Sequence, residues 1–216
     1  MKPLSLSAIH HRLFRAYGPQ HWWPADSPFE VMVGAILTQN TNWRNVEAAI
    51  ASLQAAGMLD GSRIASCDEA RLGELIRTSG FFNQKAVSLK AFCRFYLDHG
   101  GAAGLKRLDD PRRALLALNG IGPETADSML LYALGMPVFV IDAYTKRIFA
   151  RLGLTRPEAS YHQLQEFFEE HLPMDAGLFN EYHALIVEHA KQHCRVKPLC
   201  AECPLLDRCP TGQTSA

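Results

Sequence analysis

Residues 118–153 read LNGIGPETADSMLLYALGMPVFVIDAYTKRIFARLG, and the punctuation of this stretch decides the fold. Gly120 and Gly122 flank Ile121 in a tight turn, because glycine reaches positive φ without a Cβ clash. Pro123 suits the first position of a helix, where its missing N–H is not needed. Glu124 falls in the first helical turn, where the dipole favours an acid by about 0.3–1 kcal/mol. Further on, the apolar run PVFVI leads to Asp142, which stands ahead of the amphipathic TKRIFARLG and reads as its N-cap.

Outward from this stretch the same helical spacing recurs. Phe29, Met32, Val33, Ile36 and Leu37 repeat at a helix period, as do Ala86, Leu89, Phe92, Cys93 and Tyr96. Helix breakers return at intervals, at Gly57, Gly61, Gly80, Gly100, Gly101, Gly135, Pro137, Gly153 and Pro173. PVFVI is the one β-like run, and it is short, so the chain reads as all-α with roughly ten helices. No Gly/Ser linker, repeat or low-complexity tract appears; the best boundary is Gly135-Met136-Pro137. Twenty-two basic residues balance 22 acidic ones in a chain of 216 that is 48% hydrophobic. That is the composition of an ordinary globular protein, and bulk charge does not announce a polyanionic partner, although a local patch can still bind one. The amino terminus lacks a signal-peptide pattern, and no apolar run is long enough to span a bilayer. A soluble, cytoplasmic chain with no membrane partner is expected, nucleoid-associated if prokaryotic.

Four of the six cysteines lie in the last 23 residues, spaced Cys194-x5-Cys200-x2-Cys203-x5-Cys209. Such crowding in a reducing compartment points to metal rather than disulfides. Four thiolates suit a [4Fe–4S] cluster, which takes one cysteine per iron. They also suit tetrahedral zinc, although structural zinc sites usually show two short-spaced pairs and here there is one C-x-x-C.

The turn at Leu118-Asn119-Gly120-Ile121-Gly122 followed by a helix is a helix–hairpin–helix, whose backbone N–H groups can face a phosphate without reading sequence. With Asp142 and the tail cysteines following in order, residues from about Phe29 to Cys209 resemble the helix–hairpin–helix DNA glycosylases. That superfamily includes endonuclease III and the adenine-mismatch glycosylases. The first cysteine interval is one residue shorter than in endonuclease III. The resemblance implies a two-lobed all-α fold. Residues 24–135 would form a six-helix bundle bearing the hairpin. Residues 1–23 with 136–216 would form a second lobe carrying a [4Fe–4S] loop at 194–209, and the active site would lie in the cleft between lobes. It also implies a monomer acting on double-stranded DNA that contains a damaged base.

Residue by residue, the resemblance makes Asp142 the catalytic carboxylate, able to stabilise the cationic sugar or activate water once the base has been flipped out. Gln39, and beside it Asn40, match the place of a residue that fills the gap left by that base. Lys85, in GFFNQKA, matches a segment that approaches DNA and reads as a phosphate contact. Asn119, Gly120, Ile121, Gly122 and Thr125 belong to the hairpin's DNA-binding set. Members that also cut the strand carry a lysine eighteen residues before the aspartate; here that position is Glu124. A carboxylate forms no imine, so base removal without strand cleavage is expected, with lyase activity absent or weak. Glu124 is then a second catalytic candidate, orienting water or the pocket. Trp22, Trp23 and Pro24 resemble the base pocket of the 3-methyladenine glycosylase branch, where aromatic faces attract a cationic alkylated purine. The alternatives are an endonuclease III-like enzyme for oxidised pyrimidines or mismatched thymine or uracil, and a non-catalytic iron–sulfur protein that binds damaged DNA.

Overall fold

The computed structural model describes residues 4–215. Helices and their connections account for all of the regular structure among them, with no strand. Two compact units are formed, one from Trp23–Met136 and the other from Met1–Trp22 with Pro137–Ala216. No helix among the described residues is long and apolar enough to cross a membrane.

The central unit runs through α2 (Pro28–Leu37), α3 (Trp43–Ala55), α4 (Gly61–Ser66), α5 (Glu69–Leu75) and α6 (Phe82–Asp98). It continues with α7 (Gly101–Leu105), α8 (Pro111–Leu116) and α9 (Pro123–Ser128), which winds on into a π turn at Met129–Ala133. Helix α2 is buried along almost its whole length, from Val31 to Leu37, and α3, α6, α7, α9 and the π turn pack against it. The terminal unit contains α1 (Leu6–Tyr17), α10 (Ala143–Arg151), α11 (Tyr161–His171), α12 (Ala176–Gln192) and α13 (Pro210–Ser215). The thirteen α-helical segments among the described residues exceed the roughly ten expected, because α4, α5, α7 and α8 are one or two turns each and too short to show a period.

Helix starts follow from local chemistry. Ser5, Ser27, Asn42, Asp60, Asp68, Asp110, Asp142, Ser160 and Asp175 each accept a bond from the backbone N–H three residues on, satisfying a donor the helix cannot. Helices α6, α7 and α9 are different: Phe81, Gly100 and Gly122 stand at their N-caps and supply no side-chain bond.

The PVFVI run is extended but pairs with no strand. Side chains of α11 take three of its backbone groups: the Phe139 N–H donates to Glu169 Oε1 (2.9 Å), Gln165 Nε2 donates to the Phe139 carbonyl (2.9 Å), and Ile141 N–H points to Tyr161 Oη (3.4 Å). Phe139 stacks on Phe168 at 4.0 Å and meets Phe179 and Tyr182 edge-on, so the run serves as the aromatic core of the terminal unit.

Candidate active site

In the terminal unit the extended run delivers Asp142 to the start of α10. The carboxylate is 8% exposed and fully engaged: Oδ1 accepts from Thr145 N–H (2.7 Å) and Thr145 Oγ1 (2.8 Å), and Oδ2 lies 3.6 Å from Nε2 of the buried His183 on α12. Burial opposes its charge, but attraction to His183 and the bonds from Thr145 outweigh burial. The carboxyl is held below its ordinary value. An anion kept out of water in this way stabilises positive charge on a neighbouring group more strongly than a solvated one does. Neither His183 nor Thr145 was legible as a partner. The T three residues after Asp142 is a capping signal, but nothing in the chain order places α12 beside it.

In the central unit Glu124 is exposed in the first turn of α9. The hairpin before it is built tightly. Gly120 has φ +83°, and a Cβ there would come within 2.1 Å of Ser88 Oγ on α6, so both backbone conformation and close approach require glycine. Asn119, Gly120 and Gly122 are exposed, whereas Ile121 and Thr125 are buried. Ile121 N–H closes the turn onto the Leu118 carbonyl (3.2 Å). Of the hairpin residues expected to meet DNA, Ile121 and Thr125 therefore act from inside: one plugs the core and the other accepts a bond from Gln39.

Gln39 Nε2 donates to the Gly120 carbonyl (2.8 Å) and to Thr125 Oγ1 (2.9 Å), so its amide lies on the hairpin and does not stand out from it. Its neighbour Asn40 is exposed with φ +53°, a conformation asparagine tolerates better than most residues. Lys85 corrects the sequence reading. It is 3% exposed, and its ammonium donates to the carbonyls of Leu37 (2.8 Å) and Ser79 (2.6 Å). A lysine spent in this way has no free charge for a phosphate. The GxxxxKA spacing marked the lysine but not its direction, which depends on α2 packing against α6.

Trp22, Trp23 and Pro24 divide between the units. Trp22 carries the Lys191 ammonium 5.6 Å from its ring centre. Trp23 meets Trp43 edge-on at 5.0 Å and Tyr132 at 5.4 Å, and its ring lies over Gly34, where a Cβ would approach to 3.1 Å. Trp23, Pro24, Trp43 and Gly34 line a recess with Glu30 and Glu47. Trp43 and Tyr132 were unrecognised in the sequence; Trp43 follows the QNTN segment closely enough to have been considered.

The four tail cysteines line one recess with Ile148, Leu152 and Leu205. Arg151 Nη1 donates to Cys194 Sγ (3.3 Å), Gly212 N–H donates to Cys209 Sγ (3.4 Å), and His189 Nε2 lies 3.9 Å from Cys203 Sγ. None of the four is joined in a disulfide. Among the described residues no three His, Cys, Asp or Glu side chains are already drawn into a metal-ligand set. The donor chemistry fits a thiolate-bound cluster, because sulfur atoms sharing one apolar recess and receiving N–H bonds are what such a group requires.

Comparison with known proteins agrees with this architecture. The profile of the HhH-GPD superfamily of base excision DNA repair proteins matches residues 33–174. A Methanocaldococcus jannaschii protein with the provisional name DNA repair glycosylase is 48% identical, over 93% of this chain and 94% of its own length. Endonuclease III of Synechocystis is 30% identical over 88% of this chain and 84% of its own. In structure, the chain is similar to the H. pylori 3-methyladenine DNA glycosylase bound to 1,N6-ethenoadenine. The TM-score is 0.78 at 31% identity, covering 88% of this chain and 98% of that one. An endonuclease III trapped as a covalent intermediate with DNA shares the fold at a TM-score of 0.84, with 21% identity and 98% of both chains covered. The capped aspartate, the hairpin and the matched family profile converge, and the chain belongs to the HhH-GPD superfamily of base excision DNA repair proteins.

Proposed function

We propose that this DNA repair glycosylase is monofunctional, removing alkylated purines such as 3-methyladenine from duplex DNA and leaving an abasic site. The observation that carries the reading is the pairing of a buried, anionic Asp142 with a glutamate, not a lysine, eighteen residues earlier. Breaking an N-glycosidic bond builds positive charge on the sugar, which a desolvated carboxylate favours, and water then completes the reaction. A Schiff base needs an amine, and Glu124 offers none. Glu124 instead orients water or the pocket. Alkylated purines carry a positive charge and a weakened bond. Aromatic faces with acidic neighbours, as at Trp23, Trp43, Glu30 and Glu47, bind such a cation by about 0.5–2 kcal/mol per ring. The name of the H. pylori relative supports the same substrate class. DNA approaches through the exposed backbone of Asn119, Gly120 and Gly122 with Asn40 beside it, and the protein acts as a monomer. Cys194, Cys200, Cys203 and Cys209 would hold a [4Fe–4S] cluster, which supplies a rigid, positively flanked loop rather than a step of the hydrolysis.

The test is a base-release screen on duplexes carrying 3-methyladenine, an oxidised pyrimidine, or uracil or thymine opposite guanine, with borohydride trapping on abasic DNA alongside. Release of the alkylated purine without a trapped adduct supports the reading. Release confined to oxidised pyrimidines, or a strong covalent adduct, overturns it.

A further inference from the structure

We propose that Lys85 is a positioning residue whose buried ammonium joins the loops at 38–41 and 79–82 into one pre-set edge for docking duplex DNA. The inference rests on the glycosylase reading above for its DNA, but not for the clamp itself.

Lys85 sits in the first turn of α6 and reaches two other elements. Leu37 is the last residue of α2, and its carbonyl belongs to the set that a helix C-terminus leaves without an internal partner. Ser79 ends the 3₁₀ turn Arg77–Ser79. One ammonium satisfies both carbonyls, at 2.8 and 2.6 Å. Lysine is suited to this because it carries three donors on a single point and no acceptor.

Each anchored carbonyl leads into an exposed turn with left-handed backbone, which gives the arrangement a role beyond packing. Shortly after Leu37 the chain passes through Asn40 at φ +53°, and shortly after Ser79 through Phe81 at φ +47°. Both residues are exposed, Phe81 at 62%. A large aromatic held in the left-handed region and facing solvent persists only where its surroundings over-determine the backbone. Lys85 supplies that hold from both sides of Phe81: its ammonium takes the Ser79 carbonyl, and its own N–H donates to the Phe81 carbonyl (3.0 Å). The 38–41 loop is secured at its far side by Gln39 on Gly120 and Thr125, and Gly120 rests on Ser88, one turn beyond Lys85. The start of α6 thus mounts three exposed turns on one floor. Burial with no carboxylate among the causes of its shift pushes Lys85 down to about 8, a cost that filling the same space with methionine would avoid.

The test compares wild type with Lys85→Met, which keeps the stem and removes the donors. Amide hydrogen exchange is followed at residues 38–41 and 79–83, and binding is measured against salt for an undamaged duplex and one carrying an abasic-site analogue. Positioning predicts faster exchange at both loops with α10 and α12 unchanged. It also predicts about tenfold weaker binding to the abasic-analogue duplex, with the undamaged duplex and the salt slope as in wild type. Unchanged exchange at the loops overturns the proposal. So does a salt slope smaller by about 0.9 with both duplexes weakened alike, the signature of a lost phosphate contact. Lys85→Arg decides the matter if the methionine variant folds poorly. It retains the charge, so loosened loops with weaker binding to the abasic-analogue duplex would mean a clamp, whereas loosened loops with wild-type binding would overturn it. The exchange arm needs no DNA, and a wild type indifferent to the abasic analogue tells against the glycosylase reading alone.

Discussion

At Asp142, one carboxylate caps α10, pairs with His183 and is assigned the chemistry, and substitution can separate these duties. Asn keeps a side-chain oxygen for Thr145, so Asp142→Asn should fold, since asparagine caps about as well as aspartate. It removes the negative charge, and base release should fall on the order of 10²-fold or more in single-turnover assays while duplex binding stays within twofold. The same charge sets a pH dependence. The folded carboxyl lies below its ordinary 3.8, so the unfolded chain takes up its proton first as pH drops. Its stabilisation is therefore complete above about pH 4 and is lost as pH falls further. Thermal melts should show a steeper decline below about pH 4 in wild type than in Asp142→Asn. Asp142 was legible because capping is local; His183 was not, because forty-one residues separate it from its partner.

Among the elements, the hairpin depends on a pair hidden behind it. Asp127 on α9 is fully buried and receives both arms of Arg112 from α8, at 2.7 and 3.1 Å, which fixes the angle at which the two helices meet the GIG turn. Removing one partner strands a buried charge, so Arg112→Ala should lower unfolding free energy by about 3 kcal/mol in urea titrations. Any loss of DNA binding should come from a loosened turn. The turn itself was readable, since GIGP can hardly be anything else. The PVFVI run was ambiguous as a β-like segment, and the side chains of α11 settled it by taking the backbone bonds a neighbouring strand would have made.

For the molecule as a whole, the cysteine recess provides the remaining prediction. Purified under anaerobic conditions, the protein should be yellow-brown with about four irons per chain, and Cys200→Ser should lose the colour together with protection of residues 194–209 in hydrogen exchange. A colourless protein with one zinc would replace the cluster assignment. The spacing of Cys194, Cys200, Cys203 and Cys209 was visible at once, whereas the N–H donors from Arg151 and Gly212 were not. The same division holds across the chain. Sequence by itself determined the longer helices, the cap at Asp142, the hairpin turn and the absence of a lysine at 124, because each depends on residues within a turn or two of one another. Tertiary structure alone decided which way side chains face. It turned Lys85 inward onto two carbonyls, folded Gln39 onto the hairpin and set His183 against Asp142. Those outcomes depend on which helix packs against which, and that is fixed by burial summed over whole surfaces rather than by any local spacing.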